Sequence, residues 1–212
     1  MTLIKDIANE TVIYCQKREF TDKQLQNFYN SLQSLNFQPL VLGGGLHRET
    51  NVGRLPELLE LFECYPTLVL SQSKIPEYGK FVDEVLYFID QCCPWFTLVF
   101  DGDEFKGVAW AHNWTDYSVE IGGVFKRGVN PIFTTVAAYK FCEALFAIDG
   151  LEIIRAEFDS KNRAVRYLLH RVGFTSLEER RYVRLINGHP IHGQYLSMTR
   201  KEWDDYHGRQ IG

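Results

Sequence analysis

The first 60 or so residues read differently from the rest, with a stretch of apolar positions at helical spacing. Thr21-Asp22 caps a predicted helix whose Leu25, Phe28, Tyr29 and Leu32 share one face. A short apolar strand is expected at Pro39 to Leu42, followed by a glycine loop, Gly43-Gly44-Gly45. Pro56 opens a helix predicted over Glu57 to Cys64. From Thr67 the rhythm tightens. Thr67 to Leu70 reads as a strand, and Phe81, Val82, Val85, Leu86, Phe88 and Ile89 as an amphipathic helix. Phe96 to Phe100 and Val108 to His112 read as strands joined by the turn signal Asp101-Gly102-Asp103, and Tyr117 to Phe125 as the next strand.

Asn130 and Pro131 then mark a helix start. The helix is expected to run to about Ile148 and to be buried, because it is apolar nearly all round. Leu151 to Phe158 follows as a strand, so the two strands and the helix between them form a parallel crossover unit. A second helix spans the region after Asp159-Ser160, either of which can cap it. Val165, Leu168, Leu169 and Val172 form its apolar stripe and Gly173 stops it. A hairpin is expected from Arg181 to Thr199, turning at Asn187-Gly188-His189-Pro190.

The chain has 212 residues, 45% apolar and 24% charged, which fits a folded protein and not a disordered one. Lys plus Arg is 23 against 27 Asp plus Glu, so the net charge is -4; a protein that coats nucleic acid would be basic. No apolar run is long enough to span a membrane and no signal pattern opens the chain, so a cytoplasmic protein is expected. Five cysteines, none in a C-x-x-C pair, give no metal motif. None sits in a nucleophile-like turn, which argues against cysteine-based hydrolysis.

Lys126-Arg127-Gly128 precedes the first crossover helix. A helix N-terminus carries unpaired N–H groups and about half a positive charge. With two cations and a glycine beside it, that terminus is a candidate phosphate cradle. The run Asn162-Arg163-Ala164, a short apolar-basic helix, then Gly173-Phe174 resembles the strand-loop-helix signature of the GNAT superfamily of acetyl-CoA-dependent N-acetyltransferases. Glu120-Ile121-Gly122-Gly123-Val124-Phe125 resembles the strand that precedes it in that family, and Leu196 to Trp203 resembles the family's last strand and tail. The resemblance covers about residues 67–203, which divides the chain into an N-terminal extension, 1–66, packed on an acyltransferase domain, 67–212.

The resemblance implies an α+β fold: a mixed, mainly antiparallel sheet with one parallel, splayed strand pair and flanking helices. It implies acetyl-CoA as co-substrate and direct attack by a primary amine, on a small molecule or a protein N-terminus, with neither nucleic acid nor membrane as partner. A homodimer is compatible with it. By match, Val124 and Phe125 would offer backbone donors to the thioester, Lys126, Arg127, Gly128, Val129 and Asn130 would form the pyrophosphate loop, and Asn162 would contact the pantetheine arm. Asn162 reads equally well as a local helix cap.

Glu120 is the best candidate base and His112 its substitute, while His170 reads as a surface residue. The loop departs from the family pattern in having one glycine and in Pro131, which lacks an N–H. The position where many relatives carry an acidic Tyr is Leu169 here, leaving Tyr167 as the candidate acid. Two functions stay open: an N-acetyltransferase, or a catalytically silent binding or structural protein of the same shape.

Overall fold

The computed structural model describes residues 21–32, 37–39, 55–65, 78–92, 95–186 and 189–208. Gly43 to Gly45, the strand expected at Thr67 to Leu70 and the tip Asn187-Gly188 lie outside them. In chain order the elements are α1 (Asp22–Leu32), β1 (Phe37–Pro39), α2 (Leu55–Cys64), α3 (Tyr78–Cys92), β2 (Phe96–Asp101), β3 (Glu104–His112) and β4 (Ser118–Phe125). Then come α4 (Pro131–Phe146), β5 (Ile153–Asp159), α5 (Arg163–Val172), β6 (Ser176–Ile186), β7 (His189–Thr199) and α6 (Arg200–Gly208).

One seven-stranded sheet has the order β1-β2-β3-β4-β5-β7-β6. β4 and β5 are parallel and every other neighbouring pair is antiparallel, as a mixed, mainly antiparallel sheet requires. The parallel register is short, from Ser118 opposite Ile153 to Ile121 opposite Ala156. Beyond it each strand stays with its other neighbour. β4 remains paired with β3 as far as Phe125, and β5 with β7 as far as Asp159. The sheet therefore splits into two halves that open between Gly122–Phe125 and Glu157–Asp159.

Alternation along the strands sorts two cores onto the two faces. Val119, Ile154, Ala156, Phe158, Leu196 and Met198 belong to one cluster, with α4, α5 and α6. Phe28 of α1 joins it edge-on to Trp95 and Phe141, with centroids 4.7 and 5.8 Å away. Burying such a ring contributes about 1.5–3 kcal/mol. Phe96, Leu98, Phe100, Trp110 and Val124 face the other way, onto Leu58 and Phe62 of α2 and Val85 and Ile89 of α3. The described parts of the first 66 residues are thus built into both cores and, through β1, into the sheet edge.

Several local readings differ from the sequence expectation. Of the caps read for α5, the structure takes Asn162, whose Oδ1 accepts from the Val165 N–H at 3.1 Å, and not Asp159 or Ser160; Asp159 Oδ1 accepts from the Lys161 N–H in the preceding turn. β5 continues to Asp159, which leaves the cap to the last polar residue before the helix. α4 is buried only in its second half, from Ala137 onward; Ile132 is 72% exposed and Val136 is exposed as well. The stretch after Thr199 is a helix, not a tail. Thr199 and Glu202 form a reciprocal capping box, Glu202 Oε2 accepting from the Thr199 N–H at 2.8 Å and Thr199 Oγ1 from the Glu202 N–H at 3.1 Å.

Arg200 closes the far end of α4. Its guanidinium donates to the carbonyls of Phe146 (2.7 Å), in the last turn of the helix, and of Ile148 (3.1 Å) and Leu151 (2.6 Å) just beyond it, at the end that carries a partial negative charge. Arg200→Ala is expected to lower stability by about 2–3 kcal/mol, read as a lower urea midpoint at unchanged slope. Arg200→Lys should recover only part of that, because an ammonium has no planar fork to span three carbonyls. An Arg200→Ala midpoint equal to the parent's would mean that water serves these carbonyls equally well.

Candidate active site

The opening between β4 and β5 has a defined lining. Lys126 donates its N–H to the Lys106 carbonyl at 2.8 Å, which fixes the phase of β4 against β3. In that phase the backbone groups of Glu120, Gly122 and Val124 turn to β3, and those of Gly123 and Phe125 turn to β5. The Tyr117 carbonyl, which accepts from the N–H groups of Glu152 and Ile153, has the phase this requires. Past Ala156, β5 no longer pairs there. The Gly123 and Phe125 backbones therefore face the opening, whereas the Val124 N–H faces β3. No residue type in the sequence marks Gly123 for this role; the register of β3 sets it.

The loop after β4 splits the two cations. Residue 126 falls on the α2 side of the sheet by alternation. There Lys126 Nζ lies 3.9 Å from Glu57 and 5.0 Å from the centre of the Phe105 ring. Arg127 is exposed on the turn into α4. Gly128 adopts φ +82°, with no atom within 4 Å of where a Cβ would stand. Asn130 Oδ1 accepts from the Ile132 N–H at 2.8 Å, so Asn130 caps α4. Arg127, the open Gly128-Val129 turn and the positive end of α4 fit an anionic group; Lys126 stands apart from them.

On the α2/α3 face, the half of the sheet past β3 forms a polar floor. Glu120 sits opposite His112 of β3 and Arg155 of β5. Asn113, just past β3, donates its Nδ2–H to Glu120 Oε2 at 2.7 Å. Arg155 donates from Nη1 to Ser118 Oγ at 2.6 Å, and Ser118 Oγ lies 2.8 Å from Thr115 Oγ1. Further along β5, Glu157 Oε2 accepts from Tyr195 OH at 3.0 Å. The wall at the edge of this floor is Trp110, stacked on Phe96 at 6.0 Å and edge-on to Phe88 at 5.2 Å. Its indole lies over Gly122, where any Cβ would collide with it. Sequence reasoning picked out Glu120 and His112 but neither Asn113 nor Arg155. Their signal is positional: one follows the strand of His112, and the other pairs with Glu120 only once the parallel register is known.

The remaining candidates lie elsewhere. Tyr167 is 64% exposed on α5, on the face of the sheet opposite Glu120. The structure does not bring the two together. Asn162 starts the same helix as its cap. His170, on the exposed side of α5, has Nδ1 2.8 Å from the Phe174 carbonyl; a carbonyl can only accept, so Nδ1 carries the proton. Burial pushes the Cys142 thiol well above its ordinary pKa, so it is no nucleophile. No described helix is long and apolar enough to cross a membrane.

A mixed sheet whose parallel pair splays over a capped helix is the fold of the GNAT acetyltransferases. The chain superposes on spermidine N-acetyltransferase from Vibrio cholerae, solved with CoA and spermine, at a TM-score of 0.61 and 16% identity over 81% of this chain and 98% of that one. RimJ from Mycobacterium smegmatis, solved with CoA-disulfide, gives 0.58 at 16% identity over 76% and 88%. The N-acetyltransferase PseH from Campylobacter jejuni, solved with acetyl coenzyme A, gives 0.51 at 15% identity over 72% and 94%. No family model and no curated sequence matches the chain.

Proposed function

We propose that this protein transfers an acetyl group from acetyl-CoA to a primary amine by direct attack, with Glu120 as the base. The observation that carries the proposal is the opening between β4 and β5, with inward-facing backbone at Gly123 and Phe125 on one side and Glu120 two residues before it. The fold it shares with two solved N-acetyltransferases and with RimJ, solved with CoA-disulfide, supports it.

Acetyl-CoA supplies an activated thioester carbonyl. Arg127, the Gly128-Val129 backbone and the N-terminus of α4 would hold its phosphates, by charge and by N–H donors. Asn162, at the start of α5 across the opening, would border the pantetheine arm while it caps the helix. Backbone N–H groups of Gly123 and Phe125 would polarise a carbonyl laid in the opening, as fixed donors that need no reorganisation. Glu120 would take the ammonium proton of the acceptor, directly or through a water. An acceptor amine lying on the polar floor meets Glu120, Glu157, His112 and the Trp110 wall.

Calorimetry with acetyl-CoA tests the first half of this reading. Arg127→Glu is expected to weaken binding by about 1–3 kcal/mol through a lost charge-assisted hydrogen bond. Lys126→Glu should weaken it less, because Lys126 faces Glu57. No binding of acetyl-CoA in the millimolar range would remove the proposal altogether. A second reading, a silent binding protein of GNAT shape, is favoured by the exposed position of Tyr167 and by Pro131 at the head of α4. Acetyl-CoA binding without turnover over a panel of primary amines would establish it.

A further inference from the structure

We propose that Asn113 is a positioning residue that aims the Glu120 carboxylate and keeps it ionised. This rests on the reading of Glu120 as the base, and it can be tested without any acceptor.

Asn113 is the one described non-glycine residue with a positive φ, +50°. Asparagine tolerates the left-handed region better than most residues, yet the conformation still costs free energy and persists only where surroundings impose it. Here the turn that follows imposes it. Thr115 donates its N–H to the Ser118 carbonyl at 2.8 Å, and Ser118 returns its N–H to Thr115 Oγ1 at 2.9 Å. Arg155 reaches from β5 to grip Ser118 Oγ. The turn is therefore tied down from two strands, and its outcome is an amide aimed at Glu120 Oε2 at 2.7 Å.

An N–H donated to a carboxylate favours its charged form and fixes the plane of the group. The register sets His112 of β3 and Arg155 of β5 beside Glu120, and Glu157 lies two residues further along β5 on the same face. A neighbouring cation such as Arg155 acts in the same sense, and a like charge such as Glu157 in the opposite one. Asn113 is neutral and donates at 2.7 Å, so it can help hold the carboxylate in one orientation without adding charge to the floor.

The test is a pH titration of the full chain labelled with ¹³Cδ-glutamate, followed by NMR. The Glu120 signal is assigned by its absence in Glu120→Gln. Asn113→Gly keeps a residue that accepts φ +50° but removes the amide, and the Glu120 midpoint should rise by about one pH unit. Asn113→Asp sets a second carboxylate against the first, so the rise should be larger and the curve biphasic. Thermal melting of both variants checks that the turn survives. A purely structural Asn113 would lower the melting temperature and leave the midpoint in place. An unchanged midpoint in a folded variant of either kind overturns the proposal. The base assignment fails on a separate measurement: full turnover by Glu120→Gln.

Discussion

Glu120→Gln is expected to lower kcat by at least about tenfold near neutral pH, with acetyl-CoA affinity nearly unchanged. An ammonium has no lone pair to attack with until it loses a proton. General-base assistance to that step is typically worth about 10²–10⁴ in rate. Glutamine keeps the shape of the side chain and can still accept from Asn113 through its Oε1, so the polar floor stays assembled and only the proton acceptor goes. The loss should shrink at high pH, where the amine deprotonates unaided. Acetyl-CoA affinity should hold because Glu120 lies on the α2/α3 face, away from the Arg127 turn and α4. A variant with full kcat from about pH 6 to 9 would shift the role to His112 or to solvent.

The second large effect is on the sheet itself. Gly107→Ala is expected to cost about 3 kcal/mol of stability, measured as a fall in urea midpoint. A Cβ at residue 107 would collide with the Val124 carbonyl and stand 2.8 Å from Phe125 Cα, both backbone of the neighbouring strand, and 2.9 Å from the Phe125 ring. Backbone atoms cannot swing aside as a side chain can. β3 and β4 would have to part at the level where Phe125 faces the opening, so acetyl-CoA affinity should fall as well. Gly128→Ala is the contrasting case. Nothing crowds that position, and only its φ of +82° resists a side chain, so the loss should be about 1 kcal/mol. Equal midpoints for the two variants would mean that the sheet relaxes around residue 107 freely.

Much of the architecture was legible because its signals are local. The glycine at 173 takes a left-handed φ of +113° at the end of α5, and Asp101-Gly102-Asp103 turns between β2 and β3, each as its residue types require. What the sequence concealed depends on partners far along the chain. α4 is apolar all round, so periodicity could not say that Ile132 and Val136 would be uncovered; only the placement of its neighbours decides that. Lys126 and Arg127 are adjacent cations in the sequence, but strand alternation sends the first to Glu57 and leaves the second at the head of the helix. Arg155 lies 35 positions after Glu120 and meets it only through the parallel register. The Thr199-to-Glu202 box was readable in principle, yet the family resemblance put a last strand and tail there.

The division of the sheet has a kinetic meaning. A sheet with helices on both faces is a partition, and this one has a doorway where β4 leaves β5. The head of α4 and Asn162 lie on one side, Glu120 and the polar floor on the other. If acetyl-CoA and an amine approach from opposite sides, as the proposed function has it, they would not compete for space, and each could arrive or leave while the other is in place. Initial-rate plots at varied concentrations of both should intersect, as a ternary complex demands, and not run parallel as they do when one product departs before the second reactant enters. On the proposed function, an acceptor would need only its terminal amine at the doorway, and the bulk behind it could remain in solvent.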